Sequence, residues 1–353
     1  MMHQPLVYDP IVRAWACQQR GLCCRDYDIR VSRLSLSRIF RSLSAVDDPR
    51  ARLFEGGALE RDEAGFLRLP MTEDNACHFL EGRLCGYRGR FGAETLPSPC
   101  RIYPYTAILT PRRHLVGLIF TCPTALRLLA DEEAVAVVED PDGEPPTEYV
   151  ATLVGDHREY RDADGAPLSD EAFWERHWEL FCHFRATPGG PLERLADLIA
   201  RVYEPAPPPL ELDREILADA RFSDQVVGAL FARGGSPFII PTLLEYERPR
   251  PLDEPLPAWE GGDGPLLARY LEHRLLVPTF LEERLDLGYL IAVLLAATVR
   301  FRVERAKGMS PLEAIHHLDN LFVQGSFPLR LFGRGPARPD WRTMALLALG
   351  GTL

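Results

Sequence analysis

Seven of the chain's eight cysteines fall between Cys17 and Cys122, and two of them are adjacent. The order is Cys17-x5-Cys23-Cys24, then Cys77-x7-Cys85, then Cys100 inside CRIYP and Cys122 inside TCP. Long stretches between them, such as Asp74–Pro99, have little hydrophobic periodicity. A segment of that kind lacks an apolar face large enough to order it, and a bound metal centre supplies what burial does not.

The compartment decides how such cysteines are used. The first residues, MMHQPLVYDPIVRAWACQQR, have no basic stretch followed by an apolar one, so no secretory signal is expected. The longest apolar run, Tyr289–Val299, has eleven residues. A membrane span needs about 20, so no span is expected and the run reads as a buried core helix. A cytoplasmic protein follows as the expectation. Thiols stay reduced there, and clustered cysteines read as metal ligands rather than disulfides. The formal charge of -11 argues against general binding to nucleic acid or to an anionic membrane.

Proline-rich or glycine-rich stretches at Glu139–Glu148, Glu204–Leu210 and Glu247–Pro265 punctuate the chain. The first closes the cysteine-rich part. Two domains are expected, a small irregular α+β cysteine-cluster domain over 1–140 and a mainly helical one over 149–353, making the protein mainly α. In the first, Asp28–Val31 and Leu115–Thr121 read as strands. Leu34, Leu36, Ile39, Phe40 and Leu43 have helical spacing, and Pro123–Glu133 reads as a helix with proline in its first turn. In the second, helices are expected at Ser169–Phe184, Pro191–Tyr203, Asp213–Ala232, Leu266–Val277 and Leu285–Arg305. Another starts at the capping box Ser310-Pro311-Leu312-Glu313. The glycine doublets Gly56-Gly57, Gly189-Gly190, Gly234-Gly235, Gly261-Gly262 and Gly350-Gly351 sit in no strand–loop–helix unit, so no Rossmann-type sheet is expected.

Thiolates bind zinc and iron–sulfur clusters, and one tetrahedral zinc or one [4Fe-4S] cluster takes four ligands. Seven exceeds either demand. The spacing also differs from paired zinc-finger knuckles and from the bacterial ferredoxin run. Adjacent Cys23 and Cys24 do not suit a relaxed disulfide and fit better as thiolates facing one polynuclear centre. Iron–sulfur and zinc both remain open on spacing alone.

The segments Cys17-x5-Cys23-Cys24, CHFLEGRLCGY (Cys77–Tyr87), LPSPCRIYP (Leu96–Pro104) and FTCPTALRLL (Phe120–Leu129) together resemble the YkgJ-type cysteine-cluster family. The resemblance is closest to its FliB-like version, flagellin lysine-N-methylase, and it spans roughly residues 15–130. The spacer Gln18–Leu22 is shorter than is usual in that family. A second segment, LLARYLEHRLLVPTF (Leu266–Phe280), resembles a helical segment of the same family's carboxy-terminal half. The resemblance implies S-adenosylmethionine-dependent methylation of protein lysines, with flagellin a candidate substrate, and a cysteine-ligated iron–sulfur centre. It carries Cys17, Cys23, Cys24, Cys77, Cys85, Cys100 and Cys122 over as centre-associated positions. A zinc- or iron-binding module without catalysis is the alternative. The CxxxCxxC run of radical S-adenosylmethionine enzymes is absent from the sequence.

Other residues have plainer readings. Cys182 falls at helical spacing with Phe173, Trp178 and Phe181 and is expected in a core. His78 beside Cys77 is placed to tune the centre, whereas adjacent His316 and His317 point apart on a helix. Arg88, Arg90, Arg101, Arg112 and Arg113 are near enough in sequence to offset thiolate charge. Tyr103 and Tyr105 are candidates to wall the site. No general base is identified.

Overall fold

The computed structural model describes residues 4–18, 21, 24–25, 29–57, 67–74, 76–131, 137–143, 152–153, 160–162, 166–202, 263–278, 285–306 and 308–323. The expected helix over Asp213–Ala232 and two of the proline-rich stretches, Glu204–Leu210 and most of Glu247–Pro265, lie outside the described residues.

The chain starts in one hydrophobic core, leaves it for a second, smaller one, and returns. Strand β1 (Leu6–Tyr8) and the short helix α1 (Ile11–Ala14) belong to the larger core, with Val7 and Ile11 fully buried.

The smaller core follows. Strand β2 (Arg30–Val31) leads into α2 (Arg33–Ser44), and β3 (Leu67–Arg68) returns to pair antiparallel with β2. Helix α2 starts at Ser32, whose hydroxyl accepts from the Ser35 N–H at 3.1 Å; this caps an otherwise orphaned donor. Its buried stripe is Leu36, Ile39 and Leu43. Leu34, expected on that stripe, is 65 % exposed because it sits on the opposite face of the first turn. A hairpin of β4 (Leu80–Glu81) and β5 (Leu84–Cys85) runs directly into α3 (Gly86–Phe91), and α4 (Ser98–Ile102) follows. A run of aromatic rings fills the middle. Phe54 lies 6.1 Å from Phe79, Phe79 5.2 Å from Tyr87, and Tyr87 4.8 Å from Phe91. The smaller core thus draws on residues 29–96.

Back in the larger core, β6 (Tyr105–Leu109) and β7 (His114–Leu118) form a five-pair antiparallel hairpin. Helix α5 (Pro123–Asp131) and strands β8 (Val138–Asp140) and β9 (Thr152–Leu153) come next. The sheet order is β8-β1-β7-β6-β9, with β1 parallel to β7 and β6 parallel to β9. This mixed pairing is not the doubly wound parallel sheet of a Rossmann fold, in line with the expectation. A three-stranded sheet joins β10 (Tyr160–Arg161), β11 (Pro167–Leu168) and β12 (Leu285–Asp286).

Helices complete the larger core: α6 (Asp170–Ala186), α7 (Pro191–Val202), α8 (Asp263–Leu276), α9 (Leu287–Ala306) and α10 (Pro311–Val323). Ser169 caps α6 by accepting from Ala172 N–H at 3.2 Å. The capping box of α10 is formed: Ser310 N–H donates to the Glu313 carboxylate at 2.8 Å, and Glu313 N–H donates to the Ser310 hydroxyl at 3.3 Å. Helix α8 is the hub, packed against α5, α6, α7, α9, α10 and β7. Leu266, Leu267, Tyr270, Leu271, His273, Arg274 and Leu275 are all buried, so burial runs around the helix. Each fully buried leucine contributes roughly 1.5–3 kcal/mol. Gly117 lets α8 approach β7. A Cβ there would meet His273 Nε2 at 2.7 Å and Val277 at 3.0 Å.

The larger core takes residues from both sides of residue 140, from Leu6–Val12 and Ala107–Leu129 as well as from the helices. The apolar run of α9 is buried in it at Leu290, Ile291, Val293, Leu294 and Ala297. Among the described residues no helix is long and apolar enough to cross a membrane. Cys182, expected in the core, is exposed on α6, where Leu180, Phe181 and Phe184 turn inward instead.

Candidate metal centre

Six of the seven clustered cysteines line one cavity of about 540 Å³: Cys17, Cys24, Cys77, Cys85, Cys100 and Cys122. Cys23 lies outside the described residues. The cavity sits at the seam between the two cores. Cys122 belongs to the larger core, and Cys77 to the smaller one, against which Cys24, Cys85 and Cys100 also pack.

Local structure places each thiol. Cys77 is buried, its N–H donating to the Cys24 carbonyl at 2.8 Å, which ties the two segments together. Gly21 lets the first cysteine segment come close to the β4–β5 hairpin. Its φ is +69°, and a Cβ would come within 2.8 Å of the Arg83 carbonyl and 2.9 Å of the Leu80 side chain. Cys85 is the N-cap of α3, and its sulfur accepts from Arg88 N–H at 3.5 Å. Cys100 lies within α4, in the middle of the proline-flanked LPSPCRIYP segment. Cys122 is on the turn between β7 and α5, and its sulfur accepts from the Trp15 indole N–H at 3.4 Å. Trp15 in turn meets the ring of Tyr105 edge-on at 5.2 Å.

None of the described cysteines is in a disulfide. Among the described residues no three His, Cys, Asp or Glu side chains meet closely enough to hold a single ion; the thiols ring a space. Arg83, Arg88 and Arg101 also line it, and no carboxylate or imidazole does so among the described residues. That charge balance, guanidiniums with thiols, suits an anionic thiolate centre. Tyr103 forms part of the wall and hydrogen-bonds Thr121 through its hydroxyl at 3.1 Å.

The other candidates are used elsewhere. Arg90 pairs with Asp48 at 3.1 Å. Arg112 pairs with Glu171 and Glu175, and Arg113 lies over the Trp178 ring at 4.4 Å. His78 is half-buried and is not part of the cavity lining. His317 faces Glu304 at 3.4 Å.

Two supports outside the cysteine motifs carry no sequence signal. Buried Asp48 accepts from Arg50 N–H at 3.0 Å and from its guanidinium at 2.9 and 2.7 Å, and from Arg90. Arg50 continues to Glu81 at 2.8 Å, so this group braces the β4–β5 hairpin between Cys77 and Cys85. The Arg50 hydrogen bonds, acting against burial, hold the Asp48 carboxyl at about 2. The second support is Asp319 on α10. One carboxylate oxygen accepts from Phe120 N–H at 2.6 Å and Thr121 N–H at 3.1 Å. The other accepts from the Tyr270 hydroxyl at 3.0 Å and from the Arg274 guanidinium. Burial, with the Asp319 charge adding to it, pushes the Tyr270 hydroxyl well above its ordinary value. Tyr270 and Arg274 are one turn apart in ARYLEHR, a spacing that puts them on one face; nothing in the sequence names Asp319 as their partner.

Comparison with family models, with curated proteins and with solved structures finds no match to this chain.

Proposed function

We propose that the cavity holds a cysteine-ligated iron–sulfur centre and that the protein methylates lysine side chains of a partner protein from S-adenosylmethionine. The observation that carries this reading is the gathering of six cysteines around one cavity of about 540 Å³. A single zinc ion would draw four sulfurs to about 2.3 Å from one point. Thiols ringing a larger space favour a polynuclear centre instead. Clefts of about 300–1,000 Å³ take small molecules, so the space is also in the range for a cofactor beside the sulfurs.

Cys24, Cys77, Cys85 and Cys100 would hold the centre from the smaller core, Cys122 from the larger one, and exposed Cys17 from the segment after α1. Cys23 joins them on the resemblance. When bound, such a centre supplies an iron site able to place and polarise S-adenosylmethionine. The chain's own residues set the surroundings. Ile29, Ile39, Leu69, Phe79 and Leu96 make much of the wall apolar, which excludes water and disfavours a charged amine. Arg83, Arg88 and Arg101 add positive charge, which acts on an incoming lysine in the same direction. A neutral amine is the form that attacks a methyl group. The resemblance points to flagellin as the acceptor.

A second reading, a metal-handling module without methyl transfer, is favoured by one observation: no carboxylate or imidazole lines the cavity among the described residues, so no general base stands ready there. Anaerobic purification with an absorbance spectrum and iron, zinc and sulfide analysis tests the centre. Zinc without sulfide in a colourless protein overturns the iron–sulfur reading. Incubation with S-adenosylmethionine and flagellin, read by mass spectrometry, tests the activity. An intact centre without added methyl groups leaves the metal-handling reading in place.

A further inference from the structure

We infer that Asp319 is a positioning residue for the Cys122 thiol, so that the last described helix fixes one edge of a cavity whose other cysteines come from the first hundred residues. The turn that carries Cys122 is held by its two preceding N–H groups, those of Phe120 and Thr121, which both donate to one oxygen of Asp319. The partner is 198 residues away from Thr121 in the chain, so this grip is tertiary and is added to the turn's own bond from Cys122 N–H to the Ile119 carbonyl at 3.3 Å. The Arg274 guanidinium, paired with the other Asp319 oxygen, also lies over the Phe120 ring at 5.3 Å. Backbone and side chain of the turn are therefore both gripped by the same buried group.

A buried ion pair is an expensive way to fill a core, and apolar residues of similar volume commonly do as well or better. What a carboxylate does here that a leucine cannot is accept two backbone N–H bonds immediately before Cys122. Among the described residues, Cys122 is also the one cavity cysteine that is buried in the larger core. Its sulfur is steered by Trp15 on one side, and the main chain beneath it is steered by Asp319 on the other. The inference rests on the proposed centre only in what it says about metal occupancy.

The test labels the metal-free, reduced protein with iodoacetamide and follows each cysteine by mass spectrometry, so its result is independent of whether the cavity binds iron. The double variant Asp319→Leu, Arg274→Met removes both charges while retaining apolar volume, which avoids leaving an unpaired buried charge. Loss of the two backbone hydrogen bonds should raise Cys122 labelling roughly tenfold. Cys77 and Cys85, in and against the other core, should keep the wild-type rate. Tyr270→Phe, which leaves the carboxylate and both N–H bonds, should not change Cys122. An unchanged Cys122 rate in the double variant, equal acceleration of all the cavity thiols, or acceleration in Tyr270→Phe overturns the inference. Reconstitution with iron and sulfide then reads occupancy, expected to fall in the double variant; failure of the wild type to bind either counts against the centre and not against the positioning role.

Discussion

The indole Nε1 of Trp15 donates its hydrogen to the sulfur of Cys122 across 3.4 Å, linking the end of α1 to the turn before α5. Trp15→Phe keeps an aromatic ring against Tyr105 and removes the donor. Hydrogen bonds to the sulfurs are among the factors that set a cluster's reduction potential. A sulfur that loses its donor is more electron-rich and stabilises the oxidised centre. In the proposed iron–sulfur protein the midpoint potential should therefore fall in Trp15→Phe, as measured by a spectroelectrochemical titration. An unchanged or raised potential would argue that Cys122 is not a ligand.

The seam position of the cavity makes a second prediction. Cys77→Ser removes a thiol from the smaller core and Cys122→Ser one from the larger core. Both should lower iron per chain after anaerobic reconstitution. Cys182→Ser, on an exposed face of α6 and outside this cavity, should retain the wild-type iron content. Full iron in Cys122→Ser would show that the larger core's buried thiol is not needed to hold the centre.

Asp48 is the brace whose loss should loosen the hairpin between Cys77 and Cys85. In Asp48→Asn the carboxylate charge is lost and one of the two accepting oxygens becomes an NH2 group that cannot accept from Arg50 or Arg90, which costs on the order of 2 kcal/mol. Because the folded carboxyl sits at about 2, below its ordinary value of 3.8, its contribution is complete above pH 3.8. It is lost as the pH falls from 3.8 towards 2. Limited proteolysis at neutral pH should cut the Asp48→Asn variant faster within residues 29–100, with cleavage in α6 and α8 unchanged. Equal acceleration throughout would mean that the two cores unfold as one.

The amphipathic elements were legible because one stripe of residues decides them. Leu36, Ile39 and Leu43 mark α2, the serine caps mark α6 and α10, and the apolar run marks α9. The strand expected over Leu115–Thr121 stops at Leu118 in β7, since Phe120 and Thr121 bend away to reach Asp319. That partner was invisible because an aspartate in HLDNL looks like a solvated helix residue until α8 is packed against it. The proline-rich stretch at Glu139–Glu148 has the composition of a domain end. Its first residues instead form part of β8, and the Glu139–Val7 and Asp140–Leu6 pairings carry the sheet across that point. Proline and glycine content reports on a loop, not on whether the strands beside it share a core. Six of the seven motif cysteines line the cavity, and nothing in their spacing tells that Cys122 sits in the other core.

His177 gives the protein an acid-sensitive core. Its Nε2–H donates to the Leu275 carbonyl at 2.7 Å, and Trp174 packs edge-on against its ring at 5.2 Å. Burial pushes the imidazole from its ordinary 6.5 down to about 4, with the Arg113 charge acting in the same direction and the Leu275 bond opposing it. The unfolded chain takes up the proton below pH 6.5, while the folded chain resists it until about pH 4. Stability from this site is therefore complete above pH 6.5 and lost as the pH falls from 6.5 to 4, by about 3 kcal/mol in all. Other groups titrate in the same window, so the comparison is with His177→Gln, whose amide can still donate to Leu275 but takes no proton. Urea unfolding at pH 7.5 and pH 4.5 should show the wild type losing about 2–3 kcal/mol more than His177→Gln between the two conditions. Parallel losses in the two proteins would mean that His177 already carries its proton in the folded state.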